Sequence, residues 1–211
     1  GKLAWGAGSE WGGSCASPVI ASLCGRDRLL VLAGDKSRPP TGGLLVIEPR
    51  AGAVEWRYPF RSRTYESVIG ASPVAVADGV LLTASYNTGT ALVGVDAQGG
   101  FAERWHNRRF GLQFATPVVI GDAVYAVDGV SGRAGALVRI DPQTGAERWR
   151  MDIDEDVLLR LEPQERRVSM SVGEGSLLVL GERLLCLGDT GLLLLIEPGA
   201  AGGKVVARSP L

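Results

Sequence analysis

The strongest constraint on the fold of this chain is a motif that returns about every 50 residues. Each copy is a short tail that begins with glycine and closes on tryptophan, and copies occur at residues 1–5, 52–56, 100–105 and 145–149. A degenerate fifth copy ends on Ala207 instead of tryptophan. The closing residues of successive copies are 51, 49, 44 and 58 positions apart. Spacings of about 40–50 residues indicate a supersecondary unit that is repeated and stacked.

Every interval between the tails carries the same ordered parts. A small residue and a proline open a first apolar run, a Gly/Asp turn follows at Asp78-Gly79 or Gly121-Asp122, and a third run ends on an acid. The prolines are Pro18, Pro73 and Pro117, and the acids are Glu48, Asp96, Asp141 and Glu197. Short apolar runs bounded by Gly, Asp and Pro are typical of strands, and proline is tolerated near the start of a strand. The tail itself supplies a fourth strand.

This order predicts an all-β fold, namely a β-propeller of four-stranded antiparallel blades. About four blades are expected, at residues 6–56, 57–105, 106–149 and 150–208. Residues 1–5 would be the outer strand of a preceding blade, which predicts an arc of a seven- or eight-bladed propeller with the rest of the ring missing from this chain. Four blades are also enough for a closed ring, so that alternative stays open. A β-sandwich has similar strands but does not explain why the same motifs return four times.

The fourth interval departs from the pattern. Residues 156–167 are polar and predict a mildly helical segment, and we expect residues 157–167 to form an exposed insertion between blades. The acidic run at residues 152–156 resembles the start of a calcium loop. Val157 occupies the position that needs glycine and Pro163 the position of the bidentate glutamate, so the run predicts a solvated acidic loop.

Composition excludes some classes of function. The net charge is −1, which gives nothing to attract nucleic acid, and no apolar run is long enough to span a membrane. The three cysteines, Cys15, Cys24 and Cys186, lack metal-ligand spacing and allow at most one disulfide. We therefore expect them to be small buried apolar residues.

The motifs resemble the pyrroloquinoline-quinone-like (quinoprotein-type) propeller repeat, most clearly at residues 135–149, where an apolar strand leads to Asp, Thr-Gly and a final Trp. Residues 65–68 and 188–191 are similar to the bacterial propellers that resemble the outer-membrane-protein assembly lipoprotein. This resemblance implies a bacterial protein that is periplasmic or otherwise extracytoplasmic, and many such proteins bind no quinone. Quinone-dependent dehydrogenases share the repeat but carry a Cys-Cys dipeptide, a catalytic Asp and acidic calcium ligands, none of which can be matched here.

No residue is predicted to be catalytic, to bind a cofactor or to hold a metal. His106 is the only histidine, so it has no partner for a triad or a second imidazole, and we expect a structural or solvated role. Residues 130–135 contain glycines but lack a strand-to-helix context, and they predict a blade loop.

Connections between blades form the rims of propellers, and several aromatic and charged side chains fall in equivalent connections here. The candidate rim-binding residues are Trp11, Tyr65, Glu66, Arg108, Arg109, Gln113 and Phe114. Aromatic anchors and arginine suit recognition of a protein or peptide, although the same aromatics would also suit packing under the blade edges.

The predicted function is a non-catalytic propeller scaffold that binds a protein or ligand through its rim loops, without a cofactor. The alternative is part of a quinone-dependent alcohol or sugar dehydrogenase, with pyrroloquinoline quinone and calcium held partly by missing blades.

Overall fold

The computed structural model describes residues 1–34, 38–77, 79–96, 100–129, 134–161 and 164–211. Strands dominate these residues, and they contain no helix long and apolar enough to cross a membrane. The predicted all-β fold is confirmed. The chain divides into two compact units, Gly1–Thr116 and Pro117–Leu211.

Unit 1 contains two four-stranded antiparallel meanders. Sheet I has the order β1-β2-β3-β4 and sheet II the order β5-β6-β7-β8. Sheet I consists of β1 (Val19–Leu23), β2 (Arg26–Gly34), β3 (Gly42–Ile47) and β4 (Val54–Pro59). Sheet II consists of β5 (Val74–Val76), β6 (Gly79–Ala84), β7 (Gly89–Val95) and β8 (Phe101–Asn107). Each strand pairs with the next in sequence, as the repeat predicts.

Unit 2 contains two more meanders. Sheet III consists of β9 (Val118–Ile120), β10 (Ala123–Gly129), β11 (Gly135–Ile140), β12 (Glu147–Leu161) and β13 (Gln164–Ser171). Sheet IV consists of β14 (Ser176–Leu180), β15 (Arg183–Leu187), β16 (Leu192–Pro198) and β17 (Gly203–Pro210). Sheet III has five strands because β13 adds to the outer edge of β12.

The core of unit 1 lies between its two sheets. Leu30 and Leu44 of sheet I belong to one buried cluster with Val80 and Leu82 of sheet II, and all four are completely buried. Burial of each such side chain stabilises the fold by about 1.5–3 kcal/mol. The central strands β3 and β6 are buried along their whole lengths, which explains their continuous apolar runs.

The core of unit 2 is built in the same way. Leu137 of sheet III lies in one cluster with Leu184, Leu194 and Ile196 of sheet IV. Trp149 closes this cluster, and its indole N–H donates to the Gly199 carbonyl at 3.0 Å. Trp149, which closes the third repeat, is therefore a core residue with its polar atom satisfied, as buried tryptophan requires.

A β-bulge marks the end of every repeat. The register shifts between the third and fourth strands of all four sheets, and the extra residue directly precedes the closing tryptophan or its alanine replacement. The extra residues are Glu55, Arg104, Arg148 and Val206. Because a bulge bends its strand and increases twist, the repeated tail sequence gives each sheet the same outer curvature.

The acid that follows the third strand shapes the next turn in sheets I and III. The Glu48 carboxylate accepts the backbone N–H groups of Arg50 and Ala51, and the Asp141 carboxylate accepts that of Gln143 at 2.7 Å. Backbone hydrogen bonds are the largest cause that lowers the pKa of both carboxyl groups. The glycine that follows has φ = 73° at Gly52, a left-handed value that favours glycine.

The predicted helical insertion is wrong. Residues 156–161 continue β12, and β13 pairs with it in a hairpin whose register joins Val157 to Val168. Ile153 and Val157 are buried in the core of unit 2, since apolar residues alternate along β12 with period two. The acidic run is likewise strand and not loop, with Glu155 bound to Arg208 and Asp154 to Ser169. Three predictions fall partly outside the described residues: the turn at Asp78, residues 130–133 of the blade loop, and Pro163 of the calcium-loop comparison.

Two further expectations concern the cysteines and the start of the chain. Cys186 is buried as predicted, and burial raises the pKa of its thiol to about 12, but Cys15 and Cys24 are exposed, which contradicts the prediction for them. All three are free thiols. Residues 1–8 form no strand, and the Trp5 indole N–H donates to the Pro49 carbonyl at 3.1 Å. The blade boundaries, and the assignment of residues 1–5 to a preceding blade, stay predictions.

Candidate functional site

Three connecting segments of unit 1 lie side by side: residues 12–17 before β1, 60–73 between β4 and β5, and 108–116 after β8. The Cys15 N–H donates to the Ile69 carbonyl at 3.0 Å, and the Gly70 and Ala71 N–H groups both donate to the Gln113 carbonyl at 3.0 Å. Backbone hydrogen bonds thus hold the predicted rim segments in fixed positions.

Glycine is required where the second and third segments meet. A Cβ atom on Gly70 would lie 2.6 Å from the Phe114 ring and 2.9 Å from the Gln113 carbonyl oxygen, both closer than packing permits. The Phe114 ring lies against Gly70, and the residue is 50% exposed.

The structure places the other predicted rim residues in different surroundings. Tyr65 is exposed, and the Arg38 guanidinium lies 4.5 Å from its ring centroid, in a cation–π contact. Glu66 is also exposed. Trp11 packs against the buried cluster of Ala33, Leu45 and Ile47 in sheet I, so its side chain contributes to the core as well as to the surface.

Next to these segments is a pocket of about 590 Å³. Three parts of unit 1 line it. They are residues 59–64, which run from the end of β4 into the second connecting segment, the turn between β6 and β7, and the chain at the end of β8. The lining residues are Pro59, Arg61, Ser62, Arg63, Thr64, Tyr86, Asn87, Thr88, His106 and Arg108. Its volume falls within the range of about 300–1,000 Å³ that is usual for ligand pockets.

The pocket is cationic. Three of its lining residues are arginines and none is an acid. Arg61 is anchored, since its guanidinium donates to the Ser67 hydroxyl and, at 2.6 Å, to the Ser67 carbonyl. Arg63 and Arg108 are exposed and make no salt bridge with any described residue.

Arg63 and Arg108 differ in this respect from the eight described arginines that pair with acids. Arg28 of β2 pairs with Glu55 of β4 at 2.7 Å, and Arg150 of β12 pairs with Asp128 of β10 at 2.7 Å, in each case two strands away in the same sheet. The two exposed pocket guanidinium groups keep their fork of N–H donors available to an incoming anion.

His106 lies in the wall of the pocket and is held on both sides. Its Nε2 is 2.7 Å from the Thr88 carbonyl oxygen, and its Nδ1 is 3.3 Å from the Glu103 carboxylate. Glu103 also accepts the Tyr58 hydroxyl. Burial, and then this hydrogen bond, raise the pKa of Tyr58 well above its usual range. These contacts fit the structural role that the sequence predicts for the histidine.

The turn at the mouth of the pocket has an unfavourable backbone. Tyr86 and Asn87 have φ values of 55° and 62°, in the left-handed region. Two-residue hairpin turns need this geometry but favour Asn-Gly, and for a bulky residue such as tyrosine it costs about 1–2 kcal/mol. The turn is tied to the opposite wall, because the Ser62 hydroxyl donates to the Tyr86 carbonyl at 3.1 Å.

Beneath the turn, two hydroxyl groups have no hydrogen-bond partner among the described residues. They are the buried oxygens of Ser85 and Thr88. Buried polar atoms of this kind are rare in folded proteins and are usually bonded to water or ligand. Among the described residues, no group of three or more His, Cys, Asp or Glu side chains is arranged to hold a metal ion.

One lining arginine, Arg108, was among the residues predicted from the sequence, and the structural or solvated role of His106 stays a prediction. Sequence reasoning missed Arg61 and Arg63, and it missed the turn at residues 86–88. The available signal was the Arg61-Ser62-Arg63 run directly after a tail strand, with no acid within two positions.

Comparison with known proteins identifies the family. A family model described as outer membrane protein assembly factor BamB matches residues 1–151. The chain belongs to the BamB family. No curated protein matches its sequence.

Solved structures confirm that this BamB-family chain is built from β-propeller blades. The crystal structure of BamB from Moraxella catarrhalis matches with a TM-score of 0.55 and 18% identity, covering 94% of this chain and 50% of that one. A europium-containing methanol dehydrogenase matches with a TM-score of 0.54 and 12% identity over 100% and 53% of the two chains. The quinohemoprotein alcohol dehydrogenase from Comamonas testosteroni matches with a TM-score of 0.50 and 13% identity over 95% and 43%. The chain spans about half the length of these structures, and at such identities the likeness is one of fold.

Proposed function

We propose that this BamB-family chain is part of a non-catalytic propeller scaffold that binds another protein through the second and third connecting segments of unit 1. The observation that carries the proposal is the pair of exposed aromatic side chains, Tyr65 and Phe114, on segments joined by backbone hydrogen bonds. The family description, an assembly factor, supports a role in contact with other proteins. By the same family relation, we place the protein outside the cytoplasm of a bacterium.

The physical argument rests on preorganisation. Aromatic and arginine side chains supply most of the binding energy at protein interfaces. Binding is weakened when loops must be ordered first, and here the Gln113 carbonyl already fixes Gly70 and Ala71. A partner therefore meets aromatic anchors whose backbone does not need to be rearranged.

The dehydrogenase alternative stays a prediction. The solved dehydrogenases share the fold at 12% and 13% identity, which supports the propeller architecture and not the chemistry.

Site-specific photo-crosslinking in a bacterial host tests the scaffold proposal. A photoreactive phenylalanine analogue replaces Tyr65 or Phe114 in separate variants, and the matched control carries it at Leu158, which is 47% exposed on β12 of unit 2. We expect a discrete crosslinked product at Tyr65 and Phe114 but not at Leu158. The alanine variants of Tyr65 and Phe114 should lower the yield of the same product when the crosslinker sits at the other position. Equal crosslinking at all three positions, or none at any, would contradict the proposal.

A further inference from the structure

The cationic pocket of unit 1 has chemistry that points to its ligand. We propose that it receives the carboxylate side chains of an acidic peptide segment, presented by the protein partner of the proposed scaffold. The inference thus rests on the proposed function and adds the chemical class of the partner's contacting residues. Its central observation is that Arg63 and Arg108 line the same pocket without a carboxylate partner among the described residues.

The charges in and around the pocket favour an anion. Arg61, Arg63 and Arg108 line it, and no acidic residue does. The Glu103 carboxylate contacts the lining residue His106, and it already accepts the Tyr58 hydroxyl. A guanidinium pairs with a carboxylate through two parallel hydrogen bonds, so an incoming glutamate or aspartate completes the pairing that other arginines of this chain make internally.

The walls are fixed before a ligand arrives. Ser67 holds the Arg61 guanidinium, and the Ser62 hydroxyl joins the two walls by donating to the Tyr86 carbonyl and accepting the Thr64 N–H at 3.0 Å. Thr88 is 8% exposed, and its hydroxyl oxygen has no partner among the described residues. A buried polar atom without a partner, in a residue that lines the pocket, is a second mark of a binding site.

The shape of the pocket favours a peptide over a small inorganic anion. Pro59 and the Tyr86 ring, which is 43% exposed, add apolar surface beside the arginines. The methylene groups of a glutamate side chain can pack on such surface while its carboxylate meets a guanidinium. The volume of about 590 Å³ also exceeds what a single phosphate would fill. The left-handed backbone of Tyr86 holds the ring at this edge, where glycine would suit the turn better.

Fluorescence anisotropy with the purified chain and labelled peptides tests the proposal. The probes are a ten-residue peptide with alternating Glu and Gly and its Gln-for-Glu counterpart. We expect the Glu peptide to bind and the Gln peptide to bind at least about 10-fold more weakly. Arg63→Gln and Arg108→Gln should each weaken binding of the Glu peptide by about 3- to 10-fold, and the double variant by about 30-fold, with a smaller dependence on salt.

Arg109→Gln is the matched control. It removes the same charge one residue away from Arg108, on an exposed side chain that does not line the pocket, and it should change affinity less than about 2-fold. Thermal unfolding of each variant checks that it remains folded. The proposal is overturned if the Gln peptide binds as well as the Glu peptide, or if Arg109→Gln weakens binding as much as Arg108→Gln.

Two further arms separate the remaining explanations. Inorganic phosphate, or vesicles containing anionic lipid, should lower binding of the Glu peptide only as much as an equal ionic strength of simple salt does. If either displaces the peptide saturably at constant ionic strength, the pocket is a phosphate site and the proposal is overturned. The photo-crosslinked product at Phe114 reports on the scaffold proposal alone. If that product persists in the Arg63→Gln/Arg108→Gln variant while the peptide does not bind the unmodified chain, the pocket inference fails and the scaffold stands. If the product is absent altogether, the proposed function fails.

Discussion

A buried pair of threonines provides the sharpest test of how the third connecting segment is held. The Thr83 hydroxyl oxygen accepts hydrogen bonds from the Thr90 hydroxyl at 2.9 Å and from the Leu112 backbone N–H at 2.8 Å. Thr83 is 2% exposed, Thr90 1% and Leu112 4%, so water cannot replace these bonds. The network ties residues 108–116, which carry Arg108, to sheet II.

Thr83→Val removes the shared acceptor while keeping nearly the same side-chain volume. It leaves two buried donors without a partner, each at a cost of about 1–3 kcal/mol, and some relaxation brings the expected loss to about 2–4 kcal/mol. Thr90→Val is the matched control, because Thr83 still accepts the Leu112 N–H. Its expected cost is about 1 kcal/mol.

Urea unfolding followed by tryptophan fluorescence measures both variants, and hydrogen exchange at Leu112 reports on the segment itself. We expect the midpoint to fall further for Thr83→Val than for Thr90→Val, and the Leu112 amide to lose protection only in Thr83→Val. Equal effects of the two substitutions, or a Leu112 amide that stays fully protected in Thr83→Val, would refute the assignment of Thr83 as the shared acceptor.

Three other predictions follow from burial and hydrogen bonding. Under native conditions a thiol reagent should modify the exposed Cys15 and Cys24 rapidly and Cys186 only after unfolding, because burial raises the pKa of the Cys186 thiol to about 12; fast labelling of all three would contradict its burial. The pKa of Asp141 is lowered in the folded chain, so this carboxylate stabilises the fold at pH values above its ordinary pKa of 3.8, and the stabilisation is lost as the pH falls through the lowered pKa of the folded state. Asp141→Asn should therefore flatten the acid limb of a curve of stability against pH. An unchanged acid limb would contradict this contribution of Asp141. Trp149→Phe should destabilise the chain by about 2 kcal/mol in urea unfolding, because it removes the hydrogen bond from the indole N–H to the Gly199 carbonyl and leaves a gap in the unit 2 core. A cost below about 0.5 kcal/mol would show that the core repacks around the smaller ring, and would contradict this reasoning.

The hairpin of β12 and β13 shows where prediction from sequence went wrong. Residues 156–167 are polar enough to resemble an exposed helical insertion, yet Ile153, Val157 and Leu159 are separated by even numbers of positions, which places them on the same face of a strand. The helical prediction relied on the polar composition of the segment and overlooked the two-residue period of its apolar residues. The pairing of Val157 with Val168 then buries the apolar side of the hairpin against the unit 2 core.

The candidate site was only partly predictable for a related reason. The three connecting segments were found because each directly follows or precedes a repeated motif, and that order is local information. These three segments, however, form only part of the candidate site. The pocket joins Arg63 to Arg108, 45 residues away, through a turn at Tyr86 that nothing in the repeat marks.

The sequence by itself determined the repeated four-stranded unit, the positions of its turns and the core role of the closing Trp149. Each depends on a short run of residues whose apolar period, turn chemistry and spacing act locally. Tertiary structure alone decided which arginines pair with an acid and which, like Arg63 and Arg108, have no acidic partner among the residues that the structure describes. It also decided that Cys186 is buried while Cys15 and Cys24 are exposed. Charge pairing and burial depend on which strands and connections become neighbours, and that is set by the packing of distant residues rather than by the residues on either side.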